Sequence, residues 1–204
     1  MTLQNGLVHG GSAWLWTDTA YYDVSSGALV GFASKAMEGL EWPWAGIISI
    51  IGGFPYDIAS AIGHAYPSDM HELASATADA LRAHAAKGYI GRVLLAGWQD
   101  APYLCLVSTD EAGGAPFEPC YVEHYLNAGN HLPSYHRALK RGLNPKRMAR
   151  VIDEQIANPV ALAGPAGEAG QLSQYGGNVV EIEVAPDGVK SRVLRTIHET
   201  AEAA

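Results

Sequence analysis

The feature that most limits the fold is an alternating run near the start of the chain, folded back on itself by turns. Residues 6–23 read as extended chain. Trp14, Trp16 and Asp18 fall on one face of a pleated strand, and Ala13, Leu15 and Thr17 on the other. Aromatic and β-branched side chains suit such a surface. Gly10-Gly11 divides the run into a short first strand and a longer second one. A Ser25-Ser26-Gly27 turn then sends the chain back, and residues 28–34 make a further strand that ends at Ala33-Ser34-Lys35. Thr2 stands directly behind Met1. An acid and a lysine therefore come back toward a hydroxyl residue at the front of the chain, as an N-terminal nucleophile would need.

The rest of the chain alternates strand blocks with helix blocks. Residues 45–51 are a continuous apolar run rich in β-branched side chains, the pattern of a strand buried on both faces. Gly52-Gly53 stops it, and Pro55 suits the first turn of a helix over 56–65. Ser68 is the expected N-cap of the firmest helix, residues 70–87, with Asp69 and Glu72 where the helix dipole favours acids. Leu73, Ala76, Ala80 and Leu81 keep helical spacing, and Lys87-Gly88 is a stop signal. Strands follow at 92–99 and 103–109, then a loop over 110–115 and a return strand over 117–126. This register sets Cys105 opposite Cys120, as reduced thiols.

A short helix is expected over 131–141. In the next helix Asn144 is the cap, Pro145 takes the first position, and Met148, Val151, Ile152 and Ile156 form one stripe. Asn158-Pro159 ends it. Residues 164–177 hold five glycines and read as a loop, 178–197 as a hairpin turning at Asp187-Gly188, and 199–204 as a frayed tail. The whole, residues 1–204, fits one domain of two packed antiparallel sheets flanked by helices.

Composition narrows the partners. A net charge of −8 argues against nucleic acid, because phosphate neutralisation needs a basic surface. The nearest candidate, Arg137, Lys140, Arg141, Lys146, Arg147 and Arg150, reads as a solvated helix face. No run approaches the roughly 18–20 apolar residues of a membrane span, and no signal peptide is visible, so the expected compartment is the cytoplasm. The eight histidines follow no zinc-binding spacing, so neither metal nor cofactor is expected. No GxSxG, phosphate loop or dinucleotide fingerprint is present. Trp42 and Trp44 are open to two roles, a binding surface or core and subunit-interface packing. A charged fraction of only 17% favours a homo-oligomer.

In order and in several short motifs the chain resembles the proteasome β-subunit family and its bacterial proteasome-like relatives, which are N-terminal nucleophile hydrolases. Thr2 leads into a strand reaching Trp16-Thr17-Asp18-Thr19, and Asp18 stands sixteen residues after Thr2. A glycine-containing turn, Ala33-Ser34-Lys35-Ala36, an apolar strand, Gly52-Gly53 and a long helical stretch follow. Gly176-Gly177-Asn178-Val179-Val180 and Pro186-Asp187-Gly188 close the likeness. The resemblance implies a four-layer αββα sandwich, an α+β fold often assembled into rings. An ungapped match puts Gly39 where the family has its essential lysine. The family's late serine and aspartate correspond to the glycine-rich stretch, which holds Ser173 and, as its one acid, Glu168.

The chemistry so implied is that of a threonine peptidase or amidohydrolase acting on a peptide substrate. Removal of Met1 would free the Thr2 amine to act as base for its own hydroxyl. That amine titrates near neutrality. A lysine, Lys35, would lower its pKa, Asp18 would orient that lysine, and the Gly52 and Gly53 amides would form an oxyanion hole. Each assignment has an ordinary counterpart. Thr2 is also a plain second residue, Asp18 a strand-end acid that bonds turn amides, and Lys35 a solvated edge-strand lysine. The alternative function is an inactive structural or assembly protein of the same fold forming a homo-oligomer, and a third is a binding module.

Overall fold

The computed structural model describes residues 2–23, 28–111, 114–127, 131–158 and 175–197. In chain order the strands and helices are β1 (Gln4–His9), β2 (Ser12–Asp18), β3 (Ala20–Tyr22), β4 (Leu29–Phe32), β5 (Ala36–Glu38), β6 (Trp44–Ile51), α1 (Pro55–His64), α2 (Met70–Ala85), β7 (Ile90–Trp98), β8 (Pro102–Ser108), β9 (Cys120–Tyr121), β10 (His124–Leu126), α3 (Pro133–Lys140), α4 (Pro145–Ala157), β11 (Gly177–Ala185) and β12 (Gly188–Ile197).

The strands pair as three antiparallel sheets. One has the order β10-β1-β2-β11-β12, a second β5-β6-β7-β8-β9, and β3-β4 form the third. The β1–β2 turn is tight because Gly10 and Gly11 take φ of +64° and +81°, which side chains disfavour. The alternation in β2 sorts its faces as the sequence predicts. Ala13 and Leu15 join Ala45, Ile47, Leu94, Leu104 and Ile182, an apolar cluster drawn from both five-stranded sheets. Trp16 instead packs with Leu3, Tyr135, Met148, Val151 and Ile152, next to α3 and α4. A third cluster sets Ile58, Ile62, Leu73 and Leu81 of α1 and α2 against Ile48, Val93 and Cys105. In β6, Ile47 and Ile48 thus serve two different clusters, as a strand covered on both faces should.

The expected fold class, a four-layer αββα sandwich of two antiparallel sheets flanked by helices, is corrected by this topology. The described residues form three sheets with four helices, and no clear two-sheet, helix-flanked sandwich. The cause lies at the end of β2. Asp18 is the last β2 residue paired with β11, opposite Val179, and beyond it Ala20 pairs instead with Phe32 of β4. Thr19 marks the division by accepting the Asn178 N–H on its hydroxyl at 2.9 Å.

Three local expectations also change. The cap of α2 is Asp69, whose carboxylate accepts the Glu72 N–H at 2.8 Å, while Ser68 is bonded by Glu72 in return. The return strand is two strands: β9 pairs with β8, β10 pairs with β1, and Val122-Glu123 carries the chain from one sheet to the other. The thiols are offset by one register step, since Cys105 faces Tyr121 and Leu106 faces Cys120. Both cysteines are free, and burial pushes the Cys105 thiol up to about 12. The cap of α4 is Asn144 as expected, accepting the Arg147 N–H at 2.9 Å. The expected loop up to residue 174 and the tail at 199–204 lie outside the described residues, with Glu168 and Ser173. Gly177 itself starts β11.

Candidate active site

The front of β1, the end of β2 and the residue before β5 meet in one buried place. Asp18 is fully buried, Lys35 is 3% exposed and Thr2 is 7% exposed. The Lys35 ammonium donates to Asp18 Oδ1 at 2.9 Å, and the same oxygen accepts the Leu3 N–H at 2.9 Å. Asp18 Oδ2 accepts the Gly176 N–H at 3.3 Å. One carboxylate thereby ties the lysine to the peptide that follows Thr2. Asp18 thus bonds two backbone amides and the Lys35 ammonium at once. A solvated edge-strand Lys35 is ruled out by its burial.

Lys35 reaches Asp18 because β5 and β6 fix its backbone. Its carbonyl accepts the Ile48 N–H at 2.9 Å, one step beyond the Ala36–Ile47 pair. The Tyr21 ring lies 5.1 Å from the ammonium, and the Tyr21 hydroxyl donates to the Ser34 carbonyl at 3.2 Å. Burial holds the Lys35 ammonium below its ordinary range, and the Asp18 charge and hydrogen bond only partly offset that. Burial, with the Asp18 charge second, pushes the Tyr21 phenol up to about 12, so it stays a neutral donor.

Gly39, the ungapped match for a lysine, cannot carry a side chain in this packing. A Cβ there would lie 1.9 Å from Trp44 Nε1, and Trp44 is 6% exposed within the core. Trp42 is also engaged in packing, its indole donating to the Pro67 carbonyl at 2.8 Å, so this tryptophan pair is no open binding surface.

Sequence reasoning missed a set of buried amides on the other side of Thr2. Asn127 Nδ2 donates to the Thr2 carbonyl at 3.2 Å, and the Asn127 N–H donates to Asn5 Oδ1 at 3.2 Å. Asn5 Nδ2 donates to Gln155 Oε1 at 2.8 Å, and Gln155 Nε2 returns to the Asn127 carbonyl. Arg92 donates to Asn127 Oδ1 at 3.3 Å while its guanidinium pairs with Asp110. Asn127 is thus held through its backbone and its side chain alike, and the Thr2 peptide with it. The available signal was a polar Gln155 on the apolar stripe of α4, where it is 1% exposed.

Gly52 and Gly53 leave β6 with φ of +79° and +67°. Their nearest side-chain neighbours are Tyr89 and His84, not Asp18 or Lys35. Three residues, Ser49, Ile50 and Ile51, separate Gly52 from Ile48, which bonds Lys35. Lys35 and Asp18 are therefore bonded to each other and to the N–H of Leu3, next to Thr2, while the two glycines lie beyond the end of β6. Among the described residues no group of three or more His, Cys, Asp or Glu is placed to hold a metal ion. No helix there is long and apolar enough to cross a membrane.

No family model matches the chain, and no curated protein matches it. Solved structures do. Anbu from Hyphomicrobium sp. strain MC1 superposes with a TM-score of 0.64 over 94% of this chain and 86% of its own, at 9% identity. A Gly-1 mutant of Anbu from the same organism gives 0.65 over 95% and 88%, at 11% identity. The fold is proteasome-like. At such low identity the likeness speaks for the fold alone.

Proposed function

We propose that this protein is an N-terminal-threonine hydrolase of amide bonds, a peptidase, with Thr2 as nucleophile once Met1 is removed. The observation that carries the proposal is the buried Lys35–Asp18 pair, anchored on the N–H of Leu3, the residue bonded to Thr2. A buried ion pair costs desolvation, and ionisable groups perturbed by burial beside a specific charge partner cluster at functional sites.

In this mechanism the free Thr2 amine takes the proton from the Thr2 hydroxyl as the hydroxyl oxygen attacks the substrate carbonyl carbon. The C–N bond breaks, the amine returns the proton to the departing nitrogen, and a Thr2 ester remains. Water then cleaves the ester and restores the hydroxyl. Lys35, held by Asp18, places positive charge beside the Thr2 peptide and favours the neutral amine that the first step requires. The Asn127 bond to the Thr2 carbonyl fixes the nucleophile's backbone from the other side.

The strand edge beside Lys35 supports a peptide substrate. Ile48 directs its N–H to Lys35, and in an antiparallel strand the N–H of Ile50 projects from the same edge. Among the described residues β5 ends its pairing at Ala36–Ile47, so an extended peptide can add to the free end of β6. Gly52 and Gly53 follow there as the proposed oxyanion amides. The proposal includes a homo-oligomer, supported by exposed Val30, Phe32, Phe54 and Tyr56, at 72%, 58%, 72% and 77% exposure. The test is hydrolysis of a fluorogenic peptide by the Met1-processed protein. Thr2→Ala should abolish it, and wild-type turnover in Thr2→Ala would refute the assignment.

A further inference from the structure

The basic cluster that reads in sequence as a solvated helix face lines an opening in the structure. Arg137, Arg141, Arg147 and Arg150 border a cleft of about 420 Å³ between α3 and α4, together with Ser134, Asp153 and Glu154. That volume lies in the range of small-molecule sites, about 300–1,000 Å³. The two carboxylates are already engaged. Asp153 pairs with Arg195 of β12, and Glu154 accepts the Ser134 N–H at 2.7 Å. Arg147 is engaged too, donating to the Arg141 and Gly142 carbonyls. Among the described residues Arg137, Arg141 and Arg150 have no carboxylate within ion-pair distance. The Ser134 hydroxyl is buried at the cleft wall beside the Glu154 carboxylate, which its side chain and backbone N–H hold below the ordinary pKa range.

We propose that this α3–α4 cleft binds a small molecule through a phosphate group. With Asp153 neutralised by Arg195, the four guanidiniums face only the Glu154 carboxylate, an excess of positive charge that suits the doubly charged phosphomonoester near neutral pH. Guanidinium forks on two helices suit the several oxygens of a phosphoryl group. On a chain of net charge −8 an opening of this size takes a compact anion and not an extended polyanion.

The test is isothermal titration calorimetry of the full chain with inorganic phosphate and, separately, adenosine monophosphate, at constant ionic strength. The two arms distinguish free phosphate from a phosphomonoester. Saturable one-site binding of either ion is expected. Arg137→Gln/Arg150→Gln should weaken it about tenfold or more, the loss of charge-assisted hydrogen bonds. Lys190→Gln, which removes a surface lysine paired with Asp187, should change nothing. The removed arginines are exposed, so folding is not at issue. Absence of saturable binding to both probes overturns the proposal, as does an equal loss in Lys190→Gln and the arginine variant. Neither outcome depends on Thr2.

Discussion

Lys35→Met is the sharpest perturbation of the buried pair. It removes the ammonium and leaves the Asp18 carboxylate with two backbone N–H donors, Leu3 at 2.9 Å and Gly176 at 3.3 Å. Both side chains of the pair are shielded from solvent, at 2% and 0% exposure, so water does not screen the loss. Stranding one charge of a buried pair costs about 3–5 kcal/mol. For a chain of this size each kcal/mol lowers Tm by about 2–4 °C, so the expected drop is roughly 6–20 °C. Asp18→Asn should cost less. Asn keeps an oxygen for the Leu3 N–H, and Lys35, whose charge burial already disfavours, can shed its proton. The double variant Asp18→Asn/Lys35→Met should then be more stable than the sum of the singles predicts, by about 1–3 kcal/mol. Urea unfolding followed by circular dichroism measures all four corners of the cycle. A Lys35→Met change within about 0.5 kcal/mol of wild type, or strictly additive singles, would refute the buried anchor.

Two further outcomes follow from the packing. Gly39→Ala should destabilise by about 1–3 kcal/mol, because the new methyl meets the buried Trp44 indole; a neutral result in the same urea assay would show that Trp44 can yield. Burial and the Lys87 charge hold His84 below its ordinary pKa, with Asp57 and the Gly52 backbone opposing, and His84 Nε2 is buried without a partner. The unfolded chain therefore binds the extra proton first, so stability should fall as pH drops from about 6.5 toward the lower folded value. His84→Gln should flatten that part of the stability–pH curve, and an unchanged slope would count against the burial.

The sequence carried the local order of the chain well, because that order rests on short-range physics. The alternation of Trp14 and Trp16 with Ala13 and Leu15 sorts β2 into two clusters, and Asn144-Pro145 starts α4. What escaped depends on where strands go after they form. Nothing local at Val122-Glu123 shows that the chain changes sheets, and that change is also why Cys120 lies one step off Cys105. Nor does anything local show that β3 and β4 leave the first sheet. The site followed the same rule. Counting positions points to Gly39, but the bond from Ile48 to Lys35 sets the register that turns Lys35 onto Asp18. The Asn5–Gln155–Asn127 network joins residues up to 150 apart in sequence, a distance that periodicity does not reach.

The claim that matters most is that Thr2 is a free N-terminal nucleophile. Intact mass spectrometry of the protein from its own host, before and after a threonine-directed β-lactone, tests it directly. The account predicts a chain lacking Met1 that gains one adduct mapping to Thr2. A chain that keeps Met1 and takes up no adduct would contradict it.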